Sequence, residues 1–274
     1  MYDIPDPNRV ETVADWAEFY VMLNQSELSK SELRSYVEAS SGLEPSDEFI
    51  DSVWMELDTR ERLYGVDPPF RVQYGLIQPA FEWEERPEYM TCLIFSLEGN
   101  PTDSLSSGVL FERIANEAMR NFLDGESIPV GFPNTREAKD IAAALNEHYM
   151  YEPPGYRQDR NLDVVAWKPF GDERASQIVV LIQCAAGHNW TSKKTELTLD
   201  AWCKYIHFAC KPVKGLAIPI VITDETILEE DSTDAGIILD RARIYRNVDI
   251  NIISVDLKKD LTDWCTVRLG DMTS

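Results

Sequence analysis

Two residues in the second half of the chain carry the oxygen chemistry that a hard cation needs. Asp163 stands at the start of an apolar run, Leu162–Phe170, and Gln183 near the end of another, Gln177–Ala185. Between the runs, Gly171-Asp172-Glu173-Arg174 reads as a hairpin connection. Counted from the centre of that turn, Asp163 is ten residues back and Gln183 ten forward. Antiparallel pairing therefore sets them side by side at one end of a sheet. A carboxylate and an amide oxygen so placed can share a divalent ion, because hard ions such as Mg²⁺ take oxygen ligands. An amide among Val179, Val180, Leu181 and Ile182 costs roughly a few kcal/mol unless it is bonded, which argues for a working role. Asp163 by itself also fits an ordinary strand-start residue.

The elements that must hold these groups follow from periodicity. A long amphipathic helix carries Val109, Leu110, Ile114, Ala118, Phe122 and Leu123, and Gly125 ends it. A short extended piece, Ile128–Phe132, precedes a helix capped by Thr135 and running through Tyr149. After the hairpin come a helix from about Ser192 to Cys210, an apolar strand Leu216–Ile222, a β-like run Gly236–Ile244 and an apolar piece Ile250–Val255. A C-terminal helix covers about Leu257–Leu269. This order predicts an α/β fold, a mixed β-sheet flanked by helices over residues 101–274. Residues 1–100 read instead as an all-helical accessory module, with apolar stripes through Val13–Leu23, Leu33–Val37, Phe49–Leu57 and Tyr89–Leu97. The breaker cluster Gly99-Asn100-Pro101 closes it.

Charge constrains the partners. The 274 residues hold 26 Lys+Arg against 48 Asp+Glu, a formal net of −22. Residues 1–100 account for 21 acids and 7 bases, so the second part is the less acidic of the two. Such a surface repels nucleic acid at long range, and a nucleic-acid site needs a local basic patch after residue 100. The N-terminus shows no secretory signal, and no apolar stretch nears the ~20 residues of a membrane span. The 5 cysteines lack zinc spacing and read as reduced thiols in a cytoplasmic protein. His148 and His207 fall on helical segments without partners at ligand spacing and read as structural.

Asp163-Val164-Val165-Ala166-Trp167, a hairpin, then Val180-Leu181-Ile182-Gln183-Cys184-Ala185 resembles the core of the PD-(D/E)xK nuclease superfamily, which has a restriction-endonuclease-like fold. There an Asp begins one strand and an (E/Q)-x-K tripeptide lies on the next. Gly108-Val109-Leu110-Phe111-Glu112 is similar to the family's G-x-x-[FY]-E helix. The resemblance covers about residues 105–225 and implies metal-assisted phosphodiester hydrolysis in DNA, of prokaryotic restriction or antiphage-defence type. Asp163, Glu112, Gln183 and the Cys184 carbonyl would hold Mg²⁺, or Mn²⁺ in its place. Ala185 stands where the family carries its lysine, and Lys193 is the preferred substitute, with Lys194 beside it.

Lys194, His188, Asn189, Arg241 and Arg243 are the candidate nucleic-acid contacts, the two arginines sharing one strand face. Lys168, Lys204, Lys211, Lys214 and Arg246 complete the expected positive lining. The missing strand lysine leaves a second reading, an inactive nuclease-like subunit that binds nucleic acid or a protein partner within a larger complex. The acidic helical module would be the surface for such a partner. A third, an acidic decoy that mimics DNA, leaves Gln183 unexplained.

Overall fold

The computed structural model describes residues 2–99, 105–131, 136–153 and 161–273. Asn100, Pro101, Phe132 and Thr135, used above as breakers, strand end and cap, lie outside the described residues. The helix α1 (Val10–Asn24) is followed by β1 (Leu28–Ser29), α2 (Lys30–Ser41) and α3 (Asp47–Tyr64). Ser29 caps α2 in a reciprocal box with Glu32, and Ser46 caps α3 by accepting from the Phe49 N–H. The strands β2 (Phe70–Gln73) and β3 (Leu76–Pro79) then precede α4 (Pro87–Glu98). The N-terminal part is thus helical, with one addition: β1, β3 and β2 pair antiparallel in a small sheet. The turn Tyr74-Gly75, with both residues at positive φ, makes the β2–β3 hairpin.

The second part opens on α5 (Leu105–Leu123) and β4 (Glu126–Pro129), followed by α6 (Ala138–Ala144), β5 (His148–Tyr149), β6 (Val164–Lys168) and β7 (Ile178–Cys184). Next come α7 (Trp190–Lys193), α8 (Leu199–Tyr205), β8 (Ile206–His207), β9 (Val213–Ala217), α9 (Glu225–Ala235), β10 (Ile237–Leu239), α10 (Arg241–Asn247) and α11 (Val255–Thr273). Five strands form one mixed sheet in the order β10-β9-β7-β6-β4. The β6–β7 pair is antiparallel from Val164↔Ile182 to Lys168↔Ile178, while β7, β9 and β10 run parallel.

Alternation decides what each face buries. Val164, Ala166, Val180 and Ile182 pack under α5, with Phe111, Ile114 and Ala118. Val165, Trp167, Val179 and Leu181 pack on the other face against Ile141, Leu145 and Trp202. Helices therefore cover both faces, the α/β arrangement expected from the pattern. A third core gathers α1, α3 and α4 around Ala242, Tyr245, Cys265 and Leu269, so α10 and α11 seat the N-terminal helices. No described helix is long and apolar enough to cross a membrane.

Several element boundaries differ from the sequence reading; the strand expected over Leu216–Ile222, for instance, is β9 and ends at Ala217. The helix expected over 192–210 is broken between α7 and α8, because Leu197 turns inward to join Trp202 in the core. The β-like run 236–244 ends at Leu239: the Asp240 carboxylate accepts the Arg243 N–H at 2.9 Å and starts α10. Finally, the helix expected through Tyr149 stops at Ala144, and His148-Tyr149 pairs with Ile206-His207.

Candidate active site

The end of the β6–β7 hairpin is shaped by Asp163. Its N–H donates to the Ile182 carbonyl at 2.9 Å, and its carbonyl accepts the Val130 N–H at 2.8 Å. Oδ2 accepts the Cys184 N–H at 2.7 Å, so the side chain replaces a ladder acceptor just beyond the last paired residue. One step along the Val164↔Ile182 register, Asp163 stands opposite Gln183.

Glu112, on α5, reaches the same corner. A methyl group placed on Gly131 would lie 2.9 Å from Glu112 Oε2 and 3.3 Å from Asp163 Oδ1, so the two carboxylates flank the space over that glycine. The Cys184 thiol reports the same convergence: burial pushes it well above its ordinary range, and the Asp163 and Glu112 charges add to the shift. Two half-buried acids sharing one corner make a donor set suited to a hard divalent ion.

Gln183 heads a second group. It is 4% exposed, and its Nε2 donates to Glu196 Oε2 at 3.1 Å. The Lys193 ammonium donates to that same oxygen at 3.1 Å. A carboxylate only accepts, so the amide NH₂ must face Glu196 and Oε1 must point away. That Oε1 is buried and has no hydrogen-bond partner among the described residues. Glu196 was not legible as a site residue, although its spacing of three from Lys193 was a usable signal. Ala185, in the place of the family lysine, is buried against Leu216 and Ile218 and offers no polar group.

Most of the other candidate contacts are engaged elsewhere. Arg241 lies on α10 rather than a strand and is fully buried, which removes it from any phosphate. Its guanidinium bonds Asp15 at 2.7 Å, Glu18 at 3.0 Å, the Tyr64 hydroxyl at 2.8 Å and Ser96 Oγ at 3.1 Å. The expected arginine face is likewise lost, since Arg243 on the same helix donates to the Ile238 carbonyl at 2.6 Å.

Lys194 pairs with Asp231, Lys168 with Asp124, and Lys214 donates to backbone carbonyls. A ring nitrogen of His188 contacts the Ser96 carbonyl at 3.1 Å, tying the post-β7 loop to α4. Asn189 is exposed and precedes α7 without a side-chain cap bond. A cleft of about 360 Å³ beside His188 and another of about 940 Å³ near Tyr245 are not lined by Glu112 or Asp163.

No family model matches the chain, and no curated protein matches it. Among solved structures, that of the restriction endonuclease FokI matches at 7% identity, over 91% of this chain and 46% of the FokI chain, with a TM-score of 0.24. A likeness at that level carries no argument about what the chain does.

Proposed function

We propose that the chain is a metal-dependent endonuclease hydrolysing phosphodiester bonds in DNA, of the restriction or antiphage-defence type. The observation that carries this reading is the convergence of Glu112 and Asp163 over Gly131 at the end of the β6–β7 hairpin. The donor set fits Mg²⁺ or Mn²⁺: two carboxylates, with the unpartnered Gln183 Oε1 on the neighbouring strand. Among the described residues no three His, Cys, Asp or Glu side chains gather into a metal cage. Mg²⁺ tolerates such a site, since it usually keeps several waters on one or two carboxylates.

When bound, the ion supplies Lewis acidity to a phosphoryl oxygen and acidity to a water. The residues of this chain do the positioning. The Cys184 N–H orients Asp163, which leaves Oδ1 facing the Gly131 corner with Glu112. Glu196 holds the Lys193 ammonium on the same oxygen that holds the Gln183 amide, so a cation stands next to strand β7 without a strand lysine. Its role is to offset charge developing on phosphate or to orient the attacking water.

The test is cleavage of supercoiled plasmid with Mg²⁺ by the wild-type chain and by Asp163→Asn and Glu112→Gln. Cleavage by the wild type with a loss on the order of a thousandfold in either variant is expected, equivalent to several kcal/mol of barrier. Equal cleavage by wild type and Asp163→Asn, or none by either, overturns the reading. DNA binding without any calorimetric heat for Mg²⁺ would instead mark the inactive, binding-only subunit.

A further inference from the structure

Only three histidines occur in the chain, and the fold sets two of them directly opposite one another: His148 on β5 pairs with His207 on β8. We propose that this pair is a bis-imidazole site for a borderline divalent transition ion of the Zn²⁺ type, separate from the carboxylate corner. Directly opposed residues of an antiparallel pair project from the same face, with Cβ atoms about 4.5–5.5 Å apart. From that separation two imidazoles can each bring a nitrogen to the ~2.0–2.1 Å of a Zn–N bond.

The pair is held on both sides. Next to His148, the buried Glu147 accepts the Ala209 N–H at 2.9 Å and the Ser176 N–H at 3.0 Å, which fixes β5 against the chain just after β8. On the other side, the Met150 N–H donates to the Tyr205 carbonyl at 2.8 Å. Both rings are exposed, and among the described residues neither takes part in a hydrogen bond or ion pair. The backbone is therefore preorganised while the donor atoms are available.

Nitrogen donors choose Zn²⁺, Cu²⁺ or Ni²⁺ over Mg²⁺, so the site does not compete for the ion of the carboxylate corner. With no third side-chain ligand among the described residues, water completes the coordination. Such an ion works as a clip that pins the ribbon joining the α6 and α8 ends of the fold.

Calorimetric titration with ZnCl₂ in excess Mg²⁺ tests this on the wild-type chain, His148→Ala, His207→Ala and Asp163→Asn. One ion per chain is expected for the wild type and Asp163→Asn, with loss of the binding heat in each histidine variant. Zn²⁺ should raise the melting temperature wherever it binds and leave the histidine variants unmoved. Because both side chains are exposed, the variants keep the fold, which circular dichroism verifies. Absence of heat in the wild type, heat that survives in either histidine variant, or one ion per two chains with dimerisation by sedimentation overturns the proposal. Retention in Asp163→Asn separates this outcome from any failure of the nuclease reading.

Discussion

Two clusters of acids in this protein use charge in opposite ways. Asp15 and Glu18 lie buried in α1, and each is met by both Arg60 and Arg241, at 2.6–3.0 Å. Tyr64 and Tyr89 donate their hydroxyls to the remaining Glu18 oxygen at 3.0 and 2.5 Å. Glu112 and Asp163 instead approach each other, across a glycine whose missing side chain leaves the space between them. The first cluster neutralises its own charge with fixed side chains and ties α1 and α3 to α10. The second brings two carboxylates, groups of one sign, to a single corner. The balanced buried cluster is a fastening, whereas the converging pair is the geometry on which the proposed metal site rests.

That contrast can be broken at either end. Arg241→Met removes one guanidinium and leaves Asp15 and Glu18 under-compensated in the interior. Breaking a buried pair this way costs about 3–5 kcal/mol, and chemical denaturation should show it as a lowered midpoint. A loss under about 1 kcal/mol would mean that the network contributes little to holding the N-terminal helices.

A smaller effect is expected from acid. Burial raises the Asp15 carboxyl, but Arg241 and Arg60 outweigh it and hold it below the usual 3.8. A depressed carboxyl contributes stability above its unfolded value and loses it as pH falls through its folded value. Urea midpoints should therefore stay level near neutrality and drop as pH falls below about 4, a limb that Asp15→Asn should flatten.

The smallest effect on stability, and the sharpest on the comparison, is expected from Gly131→Ala. The added methyl meets the far end of the Glu112 side chain at 2.9 Å and Asp163 Oδ1 at 3.3 Å, so the expected cost is about 1 kcal/mol, the low end for an added methyl, because a side-chain end and not backbone must give. Mg²⁺-dependent cleavage should nevertheless fall, because the methyl occupies the corner itself. Unchanged cleavage with unchanged stability would show that this corner is not where the ion sits.

The elements of the site were readable because their signals are local. The Gly171–Arg174 turn and the two apolar runs specify the hairpin, and the observed register extends to Asp163 opposite Gln183. The α5 stripe follows from its 3.6-residue period, and Glu112 falls on that helix. Less legible were the fates of charged groups. Asp15 and Glu18 sit three apart within the apolar stripe of α1, a mark of buried acids, yet nothing nearby in the chain names Arg241 as their partner. Arg241 reads as a cation on a strand face unless Asp240 is taken as a helix cap.

What the sequence alone determined is the layout of periods and breaks: helices in the first hundred residues, then an α/β order with an acid and an amide on adjoining strands. Only the tertiary structure decided which charges are satisfied. Arg241 is joined to Asp15 across 226 positions, His148 meets His207 across a two-residue ribbon, and the Gln183 amide on β7 reaches Glu196 beyond α7. Periodicity is written over a few turns of chain, and neighbours can be read from it. The pairing of charges depends on which surfaces the folded core presses together, and no local pattern encodes that.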